Sequence, residues 1–384
     1  MSNWRTGSLD RARVRVYPDS YERHLIQLYG GLTDLQAAGA IELSVTRNLR
    51  KRPRQLARHT LWLELEHPRL DDCVGVLFDM ADSQGLASRP GLEMCDLYCK
   101  RSYSDPVVAE LPAPLAARVI PFGLNHECVG NRTRLPIVHL LETLVFAARG
   151  NAVHVGGGKE VVRNLVRLGR STTPRPGSLL PAERFMVAAD RPAEPRALFL
   201  TRVWEPDAAS DYAEINQRRA QLVMHLRREL GERFIGGLED TPFARRHFPD
   251  CIATVPTNRS AFLPLMHRSL VAITTTGLHG SIGWKLPEYL AASRCIVTET
   301  LPCRVPGLEA GTHYLSFSDP ETCAQACRRL LDDADLASRM RAANHRYYRE
   351  YVQPEAIVGR CLRHAVMRAE AAARTGHWSG QAPS

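Results

Sequence analysis

The segment Val271–Glu299, VAITTTGLHGSIGWKLPEYLAASRCIVTE, carries the residue types and spacing with the most chemistry in this sequence. It reads as strand, loop, helix, strand. An apolar run ends at Ile273, residues 274–284 form a loop with Gly277, Gly280 and Gly283, Pro287 falls in the first turn of a helix, and CIVT is the next strand. A glycine-bearing loop feeding a helix N-terminus leaves unpaired N–H groups at the positive end of the helix dipole, where phosphate oxygens are stabilised. Lys285 adds a full charge beside that loop. Glu288, one turn in, can accept hydrogen bonds from the two vicinal hydroxyls of a ribose. A diphosphate beside a ribose describes a nucleoside diphosphate. On local residues alone this weighs equally with a plainer alternative, a sterically required glycine loop with Lys285 and Glu288 as a surface i,i+3 pair.

In the first half, LFDMADSQGL places Asp79 and Asp82 just past the carboxyl end of an apolar strand, where ligands gather in open parallel sheets. A carboxylate there can serve as the base that deprotonates an acceptor hydroxyl, although a single Asp in such a place more often caps a turn. Lys100, Arg101 and Tyr103 follow another short strand and are candidates to line the same region. His279, inside the glycine loop, is the histidine best placed to touch a donor phosphate or sugar. Several other chemistries are disfavoured. GNAVHVGGGKE fails the P-loop pattern, and GxGxxG, HExxH and GxSxG do not occur. A diphosphate at the glycine loop is expected to be neutralised by Arg, Lys and backbone dipoles, with neither metal nor cofactor.

The 384 residues suit two domains or one large one. With 44% hydrophobic and 24% charged residues the chain has material for a core and no disorder signature. Its formal charge of +9 favours anionic substrates without demanding nucleic acid, since no basic stripe interleaved with aromatics is present and aromatics are 7%. Cys95/Cys99 and Cys323/Cys327 are each four apart, a helical spacing that reads as buried thiols rather than metal or redox chemistry. The start, MSNWRTGSLDRARVRVYPD, lacks an apolar signal region, and no run reaches the length of a membrane span, so a cytoplasmic location is expected.

These residues need strands and helices to position them. RVRV at 13–16 is a first strand running into a turn at 17–19, apolar residues between His24 and Leu35 recur at helical spacing up to Gly39, and Ile41 to Val45 is the next strand. VGVLF at 74–78 and ARVI at 117–120 are continuous apolar runs of the kind buried in parallel sheets. The pattern loosens after Asn125, with a helix candidate over 137–148, glycines at 156–158 and a Pro/Arg/Ser-rich loop at 171–181. A second alternating unit starts with ALFLTRVW at 197–204, continues as an amphipathic helix over 211–228 and returns as RFIGGL at 233–238. The expected fold class is α/β with two Rossmann-like domains, over 10–190 and 191–350, followed by C-terminal helices and a loose tail over 351–384.

The block KLPEYLAASRCIVTETLP, with PGLEAGTHYLSFSDPETCAQACRRLLDD and ASRMRAANHRYYREYV after it, resembles the donor-binding half of GT-B glycosyltransferases of the group 1 type. The resemblance covers about Ala197 to Val352. Before it, only DLYCKRSYS and VIPFGLN look like the last strands of a GT-B acceptor domain. The resemblance implies two domains facing a cleft and a metal-independent transferase that moves a sugar from a nucleotide-diphosphate donor to an acceptor hydroxyl. It places Glu288 on the ribose, Lys285 near the diphosphate and Arg202, at the end of LFLTR, on phosphate. Many retaining members carry a second Glu seven residues before the ribose Glu. That position is Ser281 here, so neither retention nor inversion is assigned. The nucleotide sugar is then a co-substrate and the acceptor is a glycan, lipid, protein or small molecule, with peripheral membrane contact left open. A nucleotide-sugar epimerase of the same fold and a catalytically silent or nucleic-acid-binding subunit are the alternatives.

Overall fold

The computed structural model describes residues 9–16, 23–45, 56–131, 179–206 and 212–374. The expected turn at 17–19, the helix over 137–148, the glycines at 156–158, most of the loop at 171–181 and the polar tail lie outside these residues. Two units divide the chain: Met1–Arg184 with Cys303–Pro306 and Glu350–Ser384, and Phe185–Pro302 with Gly307–Arg349.

In the first unit β1 (Ala12–Val16) leads to α1 (Ile26–Ala37), whose end is marked by Gly39 at φ +71, and then to β2 (Ile41–Val45), β3 (Thr60–Glu66) and β4 (Val74–Asp79). After these come α2 (Arg89–Met94), β5 (Leu97–Lys100), α3 (Asp105–Ala109), α4 (Ala113–Ala116) and β6 (Val119–Pro121). Six strands order as β2-β1-β3-β4-β5-β6. The sheet is parallel except for β3, which runs antiparallel to both β1 and β4. Strand β3 is the element that periodicity misses. TLWLELE alternates apolar and polar residues like a one-sided strand, yet six of its seven residues are buried, Glu64 included. The Cys95/Cys99 spacing is also corrected. Cys95 ends α2 and Cys99 lies in β5, so the two never share a helix face. All ten cysteines are buried free thiols.

The second unit holds β7 (Glu194–Thr201), α5 (Tyr212–Leu230), β8 (Phe234–Leu238), α6 (Pro242–His247), α7 (Arg259–Arg268), β9 (Ser269–Thr274), α8 (Lys285–Ala291), β10 (Cys295–Glu299), β11 (Leu315–Phe317), α9 (Pro320–Asp332) and α10 (Ala334–Tyr347). Its five strands order as β11-β10-β9-β7-β8, all parallel. Helices α5 and α9 cover one face through Val223, Leu226, Cys323 and Cys327, the last two at the helical spacing read from the sequence. From β7 the chain moves one way to β8, then returns to the other side for β9 and β10. The carboxyl ends of β7 and β9 are therefore a topological switch point, the place where open parallel sheets bind ligands.

Helix α11 (Pro354–Arg374) belongs to the first unit, where Ile357, Val358, Cys361 and Leu362 join the core beneath α1. The helices meet at Gly31. A Cβ there would lie 2.2 Å from the Pro354 carbonyl oxygen and 2.6 Å from Val358 Cγ2. Because a backbone carbonyl cannot yield as a side chain can, Gly31→Ala is expected to lower the unfolding free energy by about 1–3 kcal/mol. Urea unfolding checks this, and a variant as stable as wild type contradicts the packing.

Candidate functional site

The switch point of the second sheet is stitched by one arginine. Arg219 lies on α5 among the apolar residues that cover the sheet, and its side chain is buried. Its guanidinium donates to the Arg202 carbonyl at 2.8 Å, to Thr275 Oγ1 at 3.2 Å and to the Thr276 carbonyl at 3.1 Å, and lies 4.6 Å from the Trp204 ring centroid. Glu299, at the end of β10, accepts from the Thr276 amide at 2.6 Å. The ends of β7, β9 and β10 are thereby fixed relative to one another. Burial pushes the Arg219 guanidinium down to about 10, which still leaves it charged at neutral pH.

On the other side of that seam stands Lys285, at the first turn of α8. Its ammonium donates to the Leu200 carbonyl and lies 4.8 Å from the Phe262 ring centroid. Glu288, one turn on, is buried, and its Oε1 is ion-paired with Arg259 Nη2 at 2.8 Å. Its Oε2 is sealed from solvent and has no hydrogen-bond partner among the described residues. A buried acceptor left without a donor costs about 1–3 kcal/mol, more when charged, so this oxygen calls for a ligand donor. Arg202 is exposed at the rim, with its guanidinium 5.6 Å from the Trp204 ring centroid. Burial pushes Lys285 down to about 8, against the attraction of Glu288 and with the repulsion of Arg219, Arg259 and Arg202. Four cations thus crowd one end of the sheet, with Glu288 and Glu299 as the carboxylates among them. An anion is the ligand that relieves such crowding.

The glycine loop contributes less than its composition suggests. The Gly277 amide donates to the Ser281 carbonyl at 2.8 Å and the Ser281 amide to the Leu278 carbonyl at 3.1 Å, so two of its donors are used within the loop. Gly280, at φ +62, ends the 3-10 turn Leu278–Gly280 in a conformation that favours glycine, Ser281 is buried, and Gly283 faces open space. Helix α8 has only seven residues, and the side-chain cations around it supply the full positive charges. The side chain of His279 lies outside the described residues.

In the first unit the candidate residues separate into two clusters. Asp79 is fully buried, with Tyr98 Oη donating to it at 2.6 Å, the amides of Ala81 and Ala87 at 3.1 and 2.9 Å, and Lys100 Nζ 3.1 Å away. Four partners therefore enclose Asp79 away from solvent, whereas the expected role as a base needs an open carboxylate. Lys100, 1% exposed, is its buried counter-ion rather than a wall residue. Asp82 is different. It is partly exposed, pairs with Arg101, and lies 3.5 Å from His24 Nε2. Burial would raise its pKa, but the His24 hydrogen bond and the Arg101 charge together hold it well below the usual carboxylate range. Tyr103 is buried beneath Arg304, whose guanidinium is 6.0 Å from the ring centroid.

A chain with two such sheets, mainly parallel and helix-covered, has matching architecture elsewhere. Both sheets have the doubly wound, Rossmann-like strand order. No protein-family profile matches the chain, and no curated protein does. Among solved structures, the C-terminal domain of a group 1 glycosyltransferase from Francisella tularensis is similar at 8% identity, over 43% of this chain and 94% of that one, with a TM-score of 0.31. UDP-GlcNAc 2-epimerase from Neisseria meningitidis, bound to UDP-GlcNAc, is similar at 13% identity over 73% of this chain and 63% of that one, TM-score 0.36. The pneumococcal O-GlcNAc transferase GtfA, in complex with UDP and GlcNAc, gives 14% identity, 54% and 44% coverage, and a TM-score of 0.32. The likeness spans less than two thirds of the length of the latter two proteins. No helix among the described residues is long and apolar enough to cross a membrane, and no cluster of three or more metal-ligating side chains occurs among them.

The sequence reading missed Arg219 and Arg259. Both carry a signal in hindsight. Arg219 falls four after Ile215, three before Leu222 and four before Val223, on the apolar stripe of α5. Arg259 stands three before Phe262 and seven before Met266, the buried side of α7. A cation on the stripe that faces a sheet has a reason to be there.

Proposed function

We propose that the chain is a glycosyltransferase that takes a sugar from a nucleoside diphosphate donor without a metal ion, with donor binding at the switch point of the second sheet. The observation that carries this reading is the gathering of Arg202, Arg219 and Arg259 around Lys285, one turn from Glu288, whose buried Oε2 has no partner among the described residues. Those cations suit two phosphates and that oxygen suits a ribose hydroxyl. In transfer the acceptor oxygen bonds to the anomeric carbon, the bond from that carbon to phosphate oxygen breaks, and its electron pair leaves on the diphosphate. Positive charge fixed in advance near the leaving oxygen lowers that barrier, because the protein has nothing to reorganise as charge develops. The acceptor proton goes to a base.

The test is release of nucleoside diphosphate from uridine, guanosine, adenosine and thymidine diphosphate sugars in excess EDTA, with products analysed by mass. Transfer or hydrolysis of one of them supports the reading. Loss of activity in EDTA that manganese restores contradicts the metal-free site, and an isomerised nucleotide sugar without transfer supports the epimerase alternative.

Binding should also depend on pH with a definite sign. Lys285 has its ligand-free pKa lowered to about 8. A bound diphosphate favours the charged form and raises that pKa, so binding takes up a proton above it. Affinity for a nucleoside diphosphate is expected to be flat near pH 7.5 and to fall by up to about tenfold per pH unit above pH 8. In Lys285→Arg, which stays charged throughout, the fall should vanish. Calorimetric titration from pH 7.5 to about 9, below the range in which Arg219 and ordinary lysines titrate, measures this. A flat wild-type profile contradicts it.

A further inference from the structure

Arg259 opens α7 directly after its N-cap Asn258, whose side chain accepts from the Ala261 amide at 3.0 Å, so the start of the helix fixes where the arginine stands. Its guanidinium lies over the Phe185 ring, 4.8 Å from the centroid, and Nη2 is ion-paired with Glu288 Oε1 at 2.8 Å. The two side chains are unequally open. Arg259 is 30% exposed and Glu288 only 3%. A carboxylate held at one oxygen by a stacked, planar cation cannot rotate freely, and the direction of its other oxygen is set with it. That other oxygen is the one without a partner among the described residues.

We infer that Arg259 is a positioning residue of the nucleotide site, turning Glu288 so that Oε2 meets a ribose hydroxyl and thereby setting the preference for ribonucleotides over deoxyribonucleotides. This rests on the nucleotide reading proposed above. A second way for Arg259 to act is through its charge on the phosphates. The two roles separate cleanly: charge on phosphate favours ribo and deoxy ligands alike, whereas an oriented Oε2 favours only the ligand that carries the hydroxyl.

The experiment measures the affinity of the wild-type protein for UDP, GDP and ADP by calorimetry, then compares the tightest with its 2′-deoxy and 3′-deoxy forms. Wild type is expected to prefer the ribonucleotide over at least one deoxy form by about tenfold to a hundredfold, the worth of a hydrogen bond to a charged acceptor. Arg259→Gln should bring that ratio to within about threefold, and so should Glu288→Gln, with the double variant losing no more than either alone. Arg259→Lys keeps the charge but not the planar fork, so it should retain most of the diphosphate affinity while losing the ratio. Circular dichroism and thermal unfolding of each variant confirm that it is folded. An Arg259→Gln protein that weakens ribo and deoxy ligands equally, or that keeps the wild-type ratio, overturns the inference while leaving the nucleotide site standing. A wild type that binds none of the three diphosphates overturns the nucleotide reading itself and this inference with it.

Discussion

Glu288→Ala is expected to weaken nucleoside diphosphate binding by about 2–4 kcal/mol, since charge-assisted hydrogen bonds to the ribose are lost together with the orientation they impose. The fold should survive. Among the described residues Oε2 has no hydrogen-bond partner and Oε1 is ion-paired with Arg259, which is 30% exposed and can turn towards water when alanine removes the carboxylate. Calorimetry with the preferred diphosphate checks the loss, with thermal unfolding as the control. Unchanged affinity in a folded variant rejects the ribose assignment, whatever the fate of the cations around it.

The second large effect belongs to Lys285. Methionine keeps most of the length of the stem while removing the ammonium that stands over the Phe262 ring. If the ammonium meets charge that grows as the diphosphate departs, Lys285→Met should lose about 10²–10³-fold in kcat, the usual cost of one missing charge-stabilising donor. Ground-state affinity for the diphosphate should fall less, because only interactions that strengthen in the transition state speed the chemical step. The ammonium already donates to the Leu200 carbonyl, so it is held at the end of β7 rather than sweeping through solvent. A folded variant with normal turnover shows that the leaving group lies elsewhere.

Much of the scaffold was legible because its strands are continuous apolar runs. VGVLF and ALFLTRVW announce themselves as buried strands, and the helix between β7 and β8 shows its stripe in Ile215, Leu222, Val223 and Leu226. Strand β3 was not legible, because its Glu64 is buried and its alternation suggests a solvent face that the sheet does not have. The site divides along similar lines. Lys285 and Glu288 are three residues apart and could be paired by eye. The fate of Asp79 depends on Tyr98 and Lys100, nineteen and twenty-one residues away, which only the pairing of β4 with β5 brings alongside. Arg219 and Glu299 meet around Thr275 and Thr276 through three separate elements, beyond the reach of any local spacing.

The most direct test of the central claim is ligand-induced stabilisation of the intact protein by nucleoside diphosphates. Thermal unfolding is followed with UDP, GDP, ADP and dTDP, in EDTA, against inorganic phosphate at equal concentration. One diphosphate at 100 times its dissociation constant should stabilise the fold by about 2.7 kcal/mol, and the shift should largely disappear in Glu288→Ala. If no diphosphate moves the transition more than phosphate does, the cations at the carboxyl ends of β7 and β9 do not form a nucleotide site.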